Sequence, residues 1–235
     1  MQASAAGKPD RTPRRLYGAM ALVAILVAFL GFAPSYYLKA FTGAPALSAL
    51  VHTHGLVMSL WVLLFLAQVR LVAAGRTDLH RRLGIGAAFV AAMVVVVGAA
   101  TAIEGARRGL SPGPPPLVFL AFPLGVVAVF AVLVAAALLV RGRRDWHKRL
   151  MLLATLGLLT PAIARFPVLH EGGPPLFFGL TDLLVLGVIA YDTARNRRLH
   201  RAYLYGTLFF LASQPLRVAI AHTPAWLDFA AWLTS

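Results

Sequence analysis

The sequence predicts an all-α integral membrane protein, a bundle of about seven transmembrane helices, and three observations lead to that prediction. Of the residues, 60% are hydrophobic and only 13% are charged, whereas a soluble domain carries about 25% charged residues. The apolar residues also fall into blocks of roughly 20, the length that an α-helix needs to span about 30 Å of hydrocarbon. Finally, the Lys and Arg residues stand in short clusters between those blocks, as they do in membrane proteins.

The apolar blocks divide the chain into a basic tail (1–15), a transmembrane domain (16–222) and a C-terminal helix (223–235). The expected spans run over about 16–38, 47–72, 83–103, 117–140, 150–168, 176–191 and 202–221. Loops rich in Pro and Gly follow the third and fifth spans, and Pro161 predicts a kink within the fifth. Thr223 and Pro224 suit an N-cap and a first helical position, so the last segment is expected to be an interfacial helix.

The first span has one competing interpretation, a secretory signal peptide, because a basic stretch precedes an apolar one. Its apolar run is longer than the apolar region of a typical signal peptide. Gly31, Phe32 and Ala33 resemble a cleavage site, but Pro34 follows them and would hinder processing. We therefore expect an uncleaved anchor.

The orientation follows from the distribution of the 22 Lys and Arg residues, since cytoplasmic connections are the more basic ones. Seventeen lie in the N-terminal tail and in the second, fourth and sixth connections, and five lie on the other side. The N-terminus is therefore expected in the cytoplasm and the C-terminus outside, in the inner membrane of a bacterial cell. The expected partner is the lipid bilayer. Nucleic acid is excluded despite a net charge of +14, because no soluble domain remains to carry such a site.

A short motif recurs at the starts of the third and fifth spans. Residues 78–83 read Asp-Leu-His-Arg-Arg-Leu, residues 145–150 read Asp-Trp-His-Lys-Arg-Leu, and residues 198–201 are a weaker echo before the seventh span. The repeat predicts three related helical hairpins after a solitary first span, and such repeats commonly form a site at their interface. So short a match leaves ancestry by duplication open.

The repeated motif contains His80, His147 and His200, one near the cytoplasmic start of each helix. Two interpretations stand for these histidines. They are interfacial anchors or caps near the lipid headgroups, or they share a haem or metal site in which a neighbouring Asp supports the ligand.

Two further histidines lie within the second span, where polar residues are costly and often functional. His52 and His54 point about 200° apart on a helix, so they cannot hold one ligand together. His54 heads a stripe with Met58 and Trp61 that suits a cofactor, whereas His52 lies among small residues that suit close helix packing. Both histidines either form hydrogen bonds between helices or bind haem or a transition metal, and His54 is the better ligand of the two.

A second group of intramembrane polar residues recurs toward the outer ends of the later spans: Glu104, Arg165, Asp182, Gln214 and Arg217. Asp182 is expected near the midplane, about ten residues up the sixth span at 1.5 Å per residue. We expect it to be ionised and paired with Arg165 or Arg217, because a lone carboxylate is costly there. The alternatives are a protonated carboxyl, and arginines that extend to the outer headgroups.

The motif H-x-H-G at 52–55, the later Trp61 and the motif H-R-x-L-G at 80–84 resemble a group of bacterial multi-pass membrane proteins. So do residues 147–151 and 161–165. The shared domain of that group is classed as a domain of unknown function. The resemblance covers spans two to seven, and it implies a multi-pass helical fold and a role for these residues without implying an activity.

The chain has no cysteine, which excludes thiolate metal sites and a Cys nucleophile, and it lacks the common phosphate-binding and hydrolase motifs. Three functions stay open. The protein binds haem or a metal through its histidines in a redox or assembly role, or it is a small transporter or proton-coupled carrier that uses Asp182 with Arg165 and Arg217. The third is a structural subunit whose partner is another membrane protein or a second copy. Whether the chain is an enzyme is not decided by the sequence.

Overall fold

The computed structural model describes residues 14–43, 46–166, 169 and 173–235. Within them the chain is helical and has no strand. The basic tail and most of the loop after the fifth span, including His170 and Glu171, lie outside the described residues. The helices are α1 (Arg14–Phe32), α2 (Lys39–Thr42), α3 (Ala49–Ala73), α4 (Thr77–Arg107), α5 (Pro116–Leu139), α6 (Arg144–Gly157), α7 (Thr160–Ile163), α8 (Gly173–Asn196), α9 (Arg201–Ala221) and α10 (Pro224–Thr234).

Six of the described helices are long and apolar enough to cross a membrane, namely α1 with the turn that follows it, α3, α4, α5, α8 and α9. Many of their large apolar side chains, such as Leu26, Leu60, Phe89 and Leu208, are exposed on the outside of the bundle. Extended apolar surfaces mark contact with a membrane or another protein, and on six helices of spanning length they indicate a membrane. The prediction of a multi-pass membrane protein made of helices is confirmed.

The fifth predicted span differs from the other six, because it consists of two short helices. α6 has 14 residues and ends at Gly157, and α7 has four residues and begins at Thr160, so neither alone has the length of a span. Pro161 explains the break, since proline has no N–H to donate to the carbonyl of Gly157 four residues earlier. The Thr160 hydroxyl donates to that carbonyl instead, at 3.0 Å. Pro161 thus ends a helix where the sequence predicted a kink.

Two predicted spans are parts of longer helices. α4 begins at Thr77 and α8 extends to Asn196, because hydropathy detects only the apolar part of a helix and leaves out its polar ends. The extension of α8 changes the position of Asp182 along its helix. That residue lies nine positions from the start of α8 and 14 from its end, so it is displaced from the middle of the helix toward its start.

Contacts between helix ends define two ends of the bundle. At one, which we call the basic end, α1, α4, α6 and α9 begin and the ammonium of Lys148 lies 5.4 Å from the ring centroid of Tyr17. At the other, which we call the opposite end, α3, α5 and α8 begin. There the guanidinium of Arg165, just after α7, lies 4.5 Å from the ring centroid of Phe32 at the end of α1.

The C-terminal helix α10 crosses the opposite end of the bundle. It begins as the sequence predicts, with Thr223 Oγ1 accepting a hydrogen bond from the Trp226 backbone N–H at 3.2 Å. The indole of Trp226 donates to the carbonyl of Leu117 at 2.8 Å, and Arg107 at the end of α4 donates to the carbonyl of Ser235 at 2.7 Å. These two bonds attach α10 to α5 and α4.

Candidate functional site

A cavity of about 490 Å³, open to the surface of the bundle, lies between α5, α8 and α9 in the half of the bundle nearer the opposite end. We call it the α5–α8–α9 cavity. Its walls are mostly apolar and include Val118, Phe122, Phe178 and Pro215. Three polar side chains, those of Asp182, Gln214 and His222, also line it. A mostly apolar pocket with a few polar groups is the usual form of a small-molecule site.

The carboxylate of Asp182 accepts a hydrogen bond from the Gln214 amide, with a nitrogen–oxygen distance of 2.6 Å. Gln214 is buried on α9, whereas Asp182 is half-buried on α8. Arg217 acts on Asp182 through its charge and forms no ion pair with it among the described contacts. The direct partner of Asp182 is therefore a neutral amide, where the sequence predicted an arginine.

Arg217 is 7% exposed and its side chain lies against α5. A Cβ on Gly125 would clash with Arg217 Cδ. The arginine side chain can therefore pack against α5 only because this residue is a glycine. Arg217 Nε donates to the Ser213 carbonyl at 2.9 Å and Nη2 donates to the Ser213 hydroxyl at 3.2 Å. Its Nη1 is buried and has no hydrogen-bond partner among the described residues.

The guanidinium of Arg217 also touches the wall of the cavity. Its central carbon lies 5.0 Å from the ring centroid of Phe178, which lines the cavity. Gln214 and Arg217 are three residues apart on α9, so they are neighbours on one face of that helix. The structure thus brings together three of the five predicted polar residues: Asp182, Gln214 and Arg217.

The other two predicted polar residues lie elsewhere. Arg165 donates to the Pro161 carbonyl at 2.8 Å and stacks on Phe32 of α1. Glu104 forms a 2.6 Å ion pair with Arg108 one turn later on α4. Neither residue lines the cavity. The sequence analysis grouped these residues because they lie at similar distances from the ends of their helices. That distance does not specify which helices are neighbours.

The two histidines of α3 diverge, as their spacing predicts. The Tyr36 hydroxyl donates to the His52 carbonyl at 3.1 Å, and the rings of these residues are 5.9 Å apart. Tyr36 lies in a π-helical turn (Ala33–Tyr37) that extends α1, and its ring occupies the space that a Cβ on Gly55 would need. His54 is half-buried, and its Nδ1 has no hydrogen-bond partner among the described residues.

The side chains expected beside His54 have separate roles. Trp61 is 2% exposed and packs edge-on against Phe130, with 5.0 Å between the ring centroids. Met58 lies near Gly98 of α4, 3.4 Å from where a Cβ would be. Trp61 therefore packs against α5 and Met58 against α4. The predicted role of His54, Met58 and Trp61 in cofactor binding stays a prediction.

The three histidines of the basic end do not converge. The rings of His80 and His147 lie 6.3 Å apart, and His147 Nδ1 donates to the Ala137 carbonyl at 2.9 Å. His200 instead packs beside Trp146, with 5.7 Å between the ring centroids. In the described part of the chain, no group of three or more His, Asp and Glu residues is placed to hold a metal ion.

A buried ion pair at the basic end is the main feature that the sequence did not single out. Arg149 is 1% exposed and Asp192 is 0% exposed. Arg149 Nη2 lies 2.8 Å and 2.9 Å from the two carboxylate oxygens of Asp192, and Arg149 Nε lies 3.2 Å from one of them. Arg149 belongs to the repeated motif, so the sequence contained an indication that it matters. Asp192 lies just past the predicted end of its span, and no pattern indicated it.

His200 lies beside this ion pair and begins α9. Its Nδ1 accepts a hydrogen bond from the Ala202 backbone N–H at 3.1 Å, so His200 is the N-cap of the helix. Burial lowers the pKa of His200, and the positive charge of Arg149 lowers it further. A lowered pKa keeps the imidazole neutral, which is the form that can accept this hydrogen bond.

Comparison of the chain with family models, with curated proteins and with solved structures gives no match. The resemblance to the bacterial membrane-protein group therefore stays a prediction.

Proposed function

We propose that the protein binds a small amphipathic molecule inside the membrane, in the α5–α8–α9 cavity. The observation that carries this proposal is the cavity itself, about 490 Å³ of space with mostly apolar walls and a polar group formed by Asp182 and Gln214. The apolar walls suit a hydrocarbon chain or ring, and the polar group suits a head group that forms hydrogen bonds.

A purely structural subunit accounts less well for this region. Polar groups inside a bilayer are costly and normally find full sets of partners. Here the Nη1 of Arg217 is without a described partner, and the guanidinium lies against Phe178, which lines a space large enough for a small molecule. A bound molecule would explain both the unpartnered nitrogen of Arg217 and the cavity.

The binding test uses the two α8 glycines whose added Cβ would meet no atom within 4 Å, Gly179 and Gly187. Gly179 lines the cavity, whereas Gly187 lies eight residues further along α8 and does not. The full chain in maltoside micelles is dialysed to equilibrium against radiolabelled 1-decanol. We expect Gly179→Phe to fill the cavity and to weaken saturable binding at least about tenfold, a difference of about 1.4 kcal/mol.

Gly187→Phe is the matched control and is expected to bind decanol as the unaltered protein does. Both substitutions replace a helical glycine, so their effects on α8 itself are alike. Equal binding by the unaltered protein and by both variants would remove the support for the cavity as a site.

We further propose that α6 and α7 together form a seventh crossing, with the basic end in the cytoplasm of a bacterial cell and α10 at the outer surface of its inner membrane. In support, Lys148 of α6 contacts the start of α1 and Arg165 after α7 contacts its end. Reporter fusions after Ser111 and Ser235 should report the outer side, and a fusion after Arg144 the cytoplasm. An inner signal at Ser235 would contradict seven crossings.

A second candidate function is the binding of haem or a transition metal through His54. The observation that favours it is the buried Nδ1 of His54, which has no partner among the described residues. An absorption spectrum and metal analysis of the purified protein test it, together with His54→Ala and His52→Ala. Loss of a bound cofactor in the first variant alone is expected, and equal retention in both would end the hypothesis.

A further inference from the structure

We infer that the amphipathic molecule is an anion and that it binds to the α5–α8–α9 cavity together with one proton, which Asp182 accepts. This inference rests on the proposed function and adds the chemical class of the ligand and the charge balance of its binding.

The group that selects an anion is the guanidinium of Arg217. Two of its nitrogens are held by Ser213, whereas Nη1 is buried without a described partner. A buried donor without a partner is costly, more so when it is charged. A ligand that accepts from Nη1 therefore gains a favourable contact once the Phe178 ring, which lies against the guanidinium and lines the cavity, moves aside. The oxygens of a carboxylate, sulfonate or phosphate are the acceptors that a guanidinium binds most strongly. The side chain of Arg217 is held in place by its packing against Gly125 of α5 and by its two hydrogen bonds to Ser213.

The proton follows from the charges around Asp182. Without a bound anion, the negative charge of Asp182 and the positive charge of Arg217 balance each other. A monoanion bound at Arg217 would leave one net negative charge among apolar walls, and a net charge in such surroundings is costly. Protonation of the Asp182 carboxylate by a proton from water restores neutrality, and the resulting carboxyl can still form a hydrogen bond with Gln214, whose amide both donates and accepts.

The groups that face Asp182 leave few other sites for this proton. On α9 they are Arg217 and His222, and the residues of α5 and α7 include no titratable side chain. α6 carries its charges only near the basic end, between Arg144 and Arg149. On α8 itself the other acidic residue is Asp192, which is paired with Arg149.

The test compares two probes with equal chains, 1-decanesulfonate and 1-decanol. A sulfonate is ionised throughout the pH range of proteins, so any proton taken up on binding is accepted by the protein. Binding to the full chain in maltoside micelles is measured by calorimetry between pH 5 and 9 in two buffers of different ionisation enthalpy, with Gly179→Phe as the blank. We expect uptake of about one proton per sulfonate at its maximum and none for decanol.

Three variants assign the roles. Asp182→Asn should bind the sulfonate without proton uptake, and Asp182→Glu should restore the uptake. Arg217→Gln should lose at least about tenfold in affinity for the sulfonate relative to decanol, since hydrogen bonds between two charged groups are stronger than those between neutral ones. Thermal unfolding of each variant shows that it is folded.

The outcomes separate this inference from the proposed function. If the sulfonate and the alcohol bind equally and without proton uptake, the cavity is a binding site and the inference is wrong. If uptake persists in Asp182→Asn and disappears in His222→Gln, the proton is on His222 and the inference is also wrong. If neither probe binds better to the unaltered protein than to Gly179→Phe, the proposed function itself fails.

Discussion

Asp182 and Asp192 belong to the same helix, ten residues apart on α8, yet their surroundings differ. Asp192 is fully buried at the basic end, where two nitrogens of Arg149 donate to its carboxylate. Asp182 is half-buried beside a cavity and accepts one hydrogen bond from a neutral amide. The nearest arginine on α9, Arg217, leaves a nitrogen without a described partner.

The difference separates a structural role from a binding role. A buried carboxylate that is bound by an arginine fork has its charge compensated, and it links α6 to α8. A carboxylate and an arginine that are close but not joined, with space beside them, keep the capacity to bind another molecule. Residue type does not distinguish these cases, because both residues are aspartates on the same helix. The partners and the adjacent space do distinguish them.

The largest expected effect is the loss of the Arg149–Asp192 pair. Replacing Asp192 by Leu leaves the buried guanidinium of Arg149 with the more distant Asp145 carboxylate, 3.9 Å from Nη1. We expect the free energy of unfolding to fall by about 3 kcal/mol. The double variant Arg149→Met with Asp192→Leu should recover most of that loss, because removing both charges is often neutral. Unfolding in mixed maltoside and dodecyl sulfate micelles measures both changes.

Asp182→Asn is the comparison for that variant. Its side chain still accepts from Gln214 and no buried arginine loses a direct partner, so the expected loss is about 1 kcal/mol or less. Equal losses for Asp182→Asn and Asp192→Leu would contradict the distinction between the two ends of α8.

The second prediction concerns the packing of the Arg217 side chain against Gly125 of α5. Gly125→Ala places a methyl group where Arg217 Cδ lies, and overpacking of this kind costs about 1–3 kcal/mol. In an Arg217→Ala background the same substitution should cost nothing and gain up to about 1 kcal/mol of helix propensity. A double-mutant cycle measures this coupling. Gly86→Ala on α4, where an added Cβ meets no atom within 4 Å, is the control and should stabilise both backgrounds.

The sequence predicted the helices well because long apolar blocks are a strong local signal. The start of α10 was also predictable, since Thr223 and Pro224 are local cap signals. The break between α6 and α7 was only partly predictable. Pro161 indicated a disturbance, but whether a proline bends a helix or ends it depends on a neighbouring group, here Thr160, that satisfies the lost hydrogen bond.

The site was predictable only in its residue types. Asp182, Gln214 and Arg217 were singled out because polar residues inside a bilayer are rare. Their arrangement depends on which helices are neighbours, and the sequence does not encode that in any local pattern. For the same reason Arg165 was expected beside Asp182, although it stacks on Phe32 of α1. Asp192 was overlooked because it lies among polar residues at a helix end, and only tertiary packing makes it buried.

The smallest expected effect is at His200, beside the Arg149–Asp192 pair, and it depends on pH. The pKa of His200 in the folded protein is lowered from its usual 6.5 by burial and by Arg149, so the unfolded chain binds a proton more readily than the folded one. The contribution of His200 to stability is therefore complete above about pH 6.5, and it declines as the pH falls toward the lowered folded pKa. The physical reason is that protonated Nδ1 can no longer accept from the Ala202 N–H. Loss of an N-cap costs about 0.5–2 kcal/mol.

The test of this prediction uses His200→Asn, which keeps a capping oxygen that does not titrate in this range. The stability difference between this variant and the unaltered protein should change between pH 7.5 and pH 5, with the unaltered protein losing more. Parallel curves of unfolding free energy against pH would show that His200 does not cap α9 in its neutral form.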